Sequence, residues 1–430
     1  MRDILVILFT CGSAVLALFR PWMGVLALAV LAYLNPHRYA WGISREMSPY
    51  LIVFIGTTVG LMLNHKERQP FPWTRETVLF VLLLCWFTLT TFTNPDFPIV
   101  AHTQYVKVMK IYLGVFPMFW LINDYRKLRW LLITVSLSFG FIGFKGGVFA
   151  LATGFNYRVW GPENTFYGGN NEIGLVLCMM LPLLLLFYNE VEKKWAKYLF
   201  LSTFAFSACA IISTWSRGAL LTICAVLGLI LLRSKSKLLA IPIFLIIFIF
   251  AIPNLPTEWF DRMNTISTYE EDASAMGRIE VWGYAFDRAV SSPLRGGGFE
   301  TFYLQPHDAH SAYFEILGEH GFVALFLWLS LVFGTIYSLW RTSITSRDLV
   351  GFEWVSRYAS ALQISLVGYA VGSVFLGTAY WEILYQLIGI CALIKVFVGR
   401  AVKEQQAAIF VQGQEVAGAK AQTITHNPLV

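Results

Sequence analysis

The chain has 430 residues, of which 57% are hydrophobic and only 13% charged, about half the charged share of a soluble domain. That balance excludes a soluble enzyme built on one large core and points to a membrane protein of many spans. The net charge of +6 makes no case for nucleic acid, because the basic residues fall in short loops where they set orientation.

Apolar runs lie at 3–19, 22–35, 50–64, 76–93, 103–122, 130–153, 171–188, 198–214, 219–232, 238–252, 321–340, 358–376 and 381–399. The N-terminal run has a charged start but no clear small-residue cleavage site, so it reads as the first membrane segment. It is joined to the second run only by Phe19-Arg20-Pro21-Trp22, as one broken span or a tight hairpin. The expected architecture is an all-α polytopic membrane protein of about 12 transmembrane helices, since continuous apolar runs must satisfy their backbone internally. Residues 1–252 hold about 9–10 of these spans. Residues 253–319 form a long helical segment outside the membrane, 320–400 hold the last spans, and 401–430 read as a loose cytoplasmic tail.

The loops alternate in character. "HKER" (65–68), "NDYRKLR" (123–129), "NEVEKKWAK" (189–197), "RSKSK" (233–237) and "RTSITSRD" (341–348) are rich in Lys and Arg; "TNPDFP" (93–98), 154–171 and "TWSRG" (214–218) are not. The first set is therefore expected on the cytoplasmic side, and the second, with 253–319, on the other. The six cysteines (11, 85, 178, 209, 224 and 391) all sit in apolar runs. They have no metal-ligand spacing and read as small buried hydrophobes.

Segment 253–319 carries Arg262, Arg278, Arg288 and Arg295, no lysine, and eleven acidic residues, a net charge of −7. Arginine presents a planar fork suited to phosphate oxygens. Residues 274–290 have the period of an amphipathic helix, 292–299 form a turn, and Asp308 to Leu317 read as a helix capped by Asp308. Charge at membrane depth is costly and marks function. Lys145 lies inside an apolar run, Arg217 in a five-residue connection, and Arg158 just past the span of Lys145. Snorkelling to the interface is the competing account of Lys145, and a solvated helix face that of Arg278.

Three of the seven histidines, His307, His310 and His320, crowd into "QPHDAHSAYFEILGEHGF" (305–322). A metal site with Glu270 and Asp272 is the weaker reading, because His320 stands ten residues from His310 beyond Gly318. A single general base needs less apparatus, and histidine titrates near neutrality. On the expected helix, His310 would lie in the first turn, where the dipole favours the neutral imidazole that can accept a proton, while the charge of Asp308 opposes it.

"HSAYFEILGEHG" resembles the His-[Ser/Asn]-x9-Gly signature of the O-antigen ligase and polymerase superfamily: His310-Ser311, nine residues, then Gly321. "STWSRGAL" resembles that family's Ser-Arg-Gly turn, and "GRIEVWGYAF" its Arg-x3-Trp element, which places Arg278 and Trp282. "RVWG…GGNNEIGLVL" resembles a motif pairing Arg158 with Asn171, and "LRGGGF" the glycine turn before the histidine. Ala324, where the family often has another residue, is a departure of little mechanistic weight.

The resemblance covers most of the chain from 130 onward. It implies a C-type (GT-C) glycosyltransferase in the bacterial inner membrane, with its active site facing the periplasm. Such an enzyme moves a glycan from undecaprenyl diphosphate to an acceptor hydroxyl, inverting the anomeric carbon without a metal or cofactor. In the ligases the acceptor is the lipid A core; in sister families it is another repeat unit or a protein Ser/Thr. On this reading His310 is the base, and Arg217, Arg278, Arg158 and Lys145 hold the donor diphosphate. His307, Asn171 and Trp282 orient substrate. Membrane lipids are partners, nucleic acid is not, and a monomer is favoured. A transporter of lipid-linked sugars is the alternative of another class, although the chain shows no repeat of halves.

Overall fold

The computed structural model describes residues 1–93, 95–233, 255–264 and 273–425, and every regular element in them is helical. The α-helices are α1 (Arg2–Phe19), α2 (Pro21–Tyr33), α3 (Pro49–Leu63), α4 (Arg75–Phe92), α5 (Pro98–Val115), α6 (Pro117–Leu121), α7 (Tyr125–Ala152), α8 (Asn170–Glu190), α9 (Lys194–Ile212) and α10 (Arg217–Arg233). They continue as α11 (Thr257–Asn264), α12 (Ala273–Ser291), α13 (Ala312–Thr345), α14 (Glu353–Gly372) and α15 (Glu382–Thr425). The expected span at 238–252, most of the "RSKSK" loop, and Glu270 and Asp272 lie outside the described residues.

Among the described residues eight helices are long and apolar enough to cross a membrane: α1, α4, α7, α8, α9, α13, α14 and the first part of α15. Helices α2 and α3 are apolar but shorter. Length and composition thus give a multi-pass membrane protein. The expected run at 103–122 is divided, because Pro117 opens a new helix. At the C-terminal end, α15 continues to Thr425, into the segment read as a loose tail.

The first two runs form a hairpin rather than one broken span. The chain reverses at Arg20, and both helices pack on α3 and on each other. The Asp3 carboxylate at the start of α1 consequently accepts from Gly42 N–H (3.1 Å) and Ser44 Oγ (2.6 Å) beyond the end of α2. Local chemistry sets other starts. The Asp124 carboxylate accepts Lys127 N–H at the head of α7, and Thr74 and Thr77 form a reciprocal box at the head of α4.

Helix α8 is apolar on nearly every face and lies at the centre, against α7, α9, α10 and α14. Among the cysteines, Cys178 and Cys391 are buried as expected, but Cys11, Cys85 and Cys224 face outward from their helices, where lipid would surround them.

The two loop sets read from the sequence gather at opposite ends. At one end Asn123 Nδ2 donates to Glu67 O (3.0 Å), and Arg129 pairs with Glu190 (2.6 Å). At the other end Asp96 meets Arg288 (2.6 Å), and Val159 N–H donates to Ser213 O (2.9 Å). This second end carries the loop that holds His310.

Candidate active site

Helix α12 is the platform. Val281 and Ala285 on its inner face are buried with Phe302 and Ala309. Trp282 donates from Nε1 to Ala309 O (2.8 Å), and its ring stacks on Phe314 at 4.8 Å. Tyr284 Oη donates to Thr301 O (3.1 Å). Residues 301–310 are therefore strapped along α12 by Trp282 and Tyr284, which flank the buried stripe of Val281 and Ala285.

This strapping displaces the helix expected at Asp308. The Ala309 carbonyl is taken by Trp282, and α13 starts only at Ala312, with Ser311 as its N-cap. Asp308 is exposed and caps nothing. His310 stands before the helix with φ 44°, a left-handed conformation unusual for a non-glycine residue and associated with functional sites. Its imidazole is held below the ordinary histidine range, first by burial and then by the Arg278 guanidinium, with Asp308 pulling the other way. The neutral form is favoured, as expected, but not from a place in the first helical turn.

His307 joins this group. It lies against Gly277, where a Cβ would fall 2.7 Å from its ring Cδ2 and push the exposed imidazole aside. His307, His310, Arg278 and Trp282 are thus brought together. His320 is not. It is fully buried, bonded through Nδ1 to Thr90 Oγ1 (2.7 Å) and wedged between Phe87 and Phe299. The three histidines share no site, and no group of three His, Cys, Asp or Glu side chains among the described residues could hold a metal.

The glycine of the signature breaks α13. Gly321 has φ 74°, and a Cβ there would fall 2.5 Å from Pro293 O. A break inside a helix orphans carbonyls. Here Gly297 and Gly298 of the glycine turn supply the missing donors, to Gly318 O (2.9 Å) and Glu319 O (2.7 Å). Glu300 N–H donates to the Glu319 carboxylate (2.7 Å), and Tyr380 Oη donates to its other oxygen. Asp96 clamps the same turn, accepting from Arg288 and from Thr301 Oγ1 (2.7 Å).

A second cluster surrounds Arg217, the first residue of α10. Trp215 takes φ 57°, and Ser216 Oγ accepts Ala219 N–H (3.2 Å) as a working N-cap. Arg158 lies over the Trp215 ring at 5.4 Å. Buried Asn170, not Asn171, donates to Thr214 O (2.8 Å) and holds the turn, while Asn171 is half-buried beside it. The end of α14 and the link to α15 reach Arg217's turn and the start of α13. Phe375 meets Gly218, Ala370 O accepts from Tyr313 Oη (2.8 Å), and Ala379 N–H donates to Glu315 (3.1 Å). Lys145 is elsewhere, on the outer face of α7 with its ammonium over the Tyr39 ring at 5.0 Å.

Sequence reading passed over two contributors. Asn170 was hidden by its twin. Lys107, on α5, lies over the Phe166 ring at 4.9 Å, and its charge opposes the upward push that burial and Asp308 give the Glu300 carboxyl. Its signal was legible, since Lys107 and Lys110 stand inside an apolar run.

Residues 1–192 match a family of unknown function (DUF5935), and residues 202–329 match the family described as O-antigen ligase. The second match contains Arg217, Arg278, His310 and Gly321, and it supports the resemblance to the O-antigen ligase-like superfamily. No curated protein matches the chain.

Proposed function

With its 202–329 segment matching O-antigen ligases, we propose that this membrane protein transfers a glycan from undecaprenyl diphosphate to a hydroxyl of the lipid A core. The reaction would take place on the periplasmic face of the inner membrane. The observation that carries the reading is a neutral-leaning imidazole, half-buried in a left-handed turn beside an arginine, within the segment that matches the family.

His310 accepts the proton of the acceptor hydroxyl as its oxygen attacks the anomeric carbon. The carbon–oxygen bond to the diphosphate breaks on the opposite face, so the configuration inverts. Arg278 and Arg217 stabilise the charge that accumulates on the departing diphosphate, the role for which preorganised guanidinium groups are suited. Arg158 steadies the Arg217 turn through Trp215. Trp282 fixes the backbone next to the base. His307 and Asn171 border the two clusters as contacts for the substrates. Lys145 would meet the headgroup region on the way in.

Purified protein in detergent, given undecaprenyl-diphosphate glycan, is expected to glycosylate lipid A core in the presence of EDTA. Transfer to a second lipid-linked repeat would make it a polymerase, and transfer to a protein Ser/Thr an O-oligosaccharyltransferase. No product with any acceptor, with movement of the donor across sealed vesicles, would make it a transporter.

A further inference from the structure

At the end of the bundle away from His310, the start of α4, the last turns of α13 and the middle of α15 border an open cavity of about 530 Å³. Four cations line it: Arg75, Arg341, Lys395 and Lys403. Glu76 is the one carboxylate set against them. It is only 1% exposed, bonded by Lys395 at 3.2 Å and paired with Arg75 at 3.6 Å. Three positive charges remain in excess around one hollow, beside the apolar Val398. Mutual repulsion among cations that share one open groove is relieved by an anion bound between them. Exposed Tyr337 and Trp340, with rings 5.7 Å apart, sit at the same level, as aromatic side chains do at the headgroup layer.

We propose that this cavity binds the phosphate headgroup of an anionic phospholipid, with the acyl chains descending along the exposed apolar side chains of α4 and α13, among them Val78, Leu82 and Phe333. The site is separate from the transfer chemistry. It lies about 45 Å of helix from His310, at 1.5 Å per residue along α13, and it requires only that the chain sit in a membrane. Basic pockets between spanning helices are suited to such headgroups.

The test uses the full chain in detergent. Binding and thermal stability are measured with phosphatidylglycerol, with phosphatidylcholine and with inorganic phosphate. Phosphatidylglycerol is expected to bind and raise the melting temperature well beyond phosphatidylcholine, with inorganic phosphate inert. The double variant Arg341→Gln/Lys403→Gln alters two exposed side chains and should fold. It is expected to lose roughly 30-fold in phosphatidylglycerol affinity, taking about fivefold for each cation beside an anionic lipid. Arg347→Gln, an exposed arginine off the cavity wall, should lose nothing. Equal response to the two lipids, unchanged affinity in the double variant, or a full response to inorganic phosphate would each overturn the proposal.

Discussion

Trp215-Ser216-Arg217 and His310-Ser311-Ala312 are built alike and finished differently. In each, a non-glycine residue takes a left-handed conformation, a serine stands at the N-cap, and a helix begins. Ser216 uses its hydroxyl on Ala219 N–H at 3.2 Å. Ser311 does not cap: its hydroxyl is fully buried with no hydrogen-bond partner. The first turn is locked from within and presents the charge that follows it. The second is held from outside, by Trp282 on Ala309 O, and leaves polar groups unspent beside the imidazole. A buried hydroxyl left unmatched costs roughly 1–3 kcal/mol, recovered when a water or a ligand supplies the partner.

The contrast breaks first at the imidazole. His310→Ala should reduce transfer by roughly 10²–10⁴-fold while the protein stays folded in membranes; full turnover would remove it as the base. Arg217→Ala on the locked turn should cost about 10²–10³-fold, and donor binding measured directly should weaken with it. Unaltered donor affinity would separate that turn from the diphosphate.

The pH profile comes next. Because burial and Arg278 hold the His310 pKa below the ordinary value of about 6.5, activity should stay level from neutral pH down past that value. It should fall only once the imidazole protonates. Arg278→Gln removes a lowering influence, so the acid limb should move to higher pH; a limb that stays put would detach Arg278 from the base.

Stability effects are smaller. Gly321→Ala combines a left-handed φ with a contact to Pro293 O, and a loss of about 2 kcal/mol or more is expected in thermal unfolding. The two serines give the finest comparison. Ser216→Ala should cost about 1 kcal/mol, and Ser311→Ala should cost nothing or stabilise by about 1 kcal/mol, with any loss appearing in activity instead. Equal losses would erase the distinction between the turns.

The eight long apolar helices were legible because hydropathy reports burial in lipid directly, though the described residues do not reach the expected count of about 12 spans. Helix α12 was legible because its apolar period survives in an otherwise acidic segment. The start of α13 was not. Asp308 is a good local cap, but Trp282, twenty-six residues upstream, takes the Ala309 carbonyl and holds that backbone out of the helix. A local cap worth about 1 kcal/mol yields where tertiary contacts fix the same backbone. Asn171 was chosen over Asn170 for a similar reason. Two identical neighbours differ only in which one the helix start turns towards Thr214. In the candidate site, grouping Arg278, Trp282 and His310 came with the resemblance to the family motifs. A structural role for His320 was legible from its place beside Gly321; the partners that bury it were not, since they come from α4.

The break at Gly321 also turns the distance to His310 into an angle. Gly321 is pinned to the glycine turn, and the nine residues between Ser311 and Gly321 lie on helix. Each residue added or removed there would swing the imidazole by about 100° around the helix axis and move it about 1.5 Å along it. The spacing therefore works as a gear setting: a one-residue error would leave every side chain present and aim the imidazole at the wrong wall.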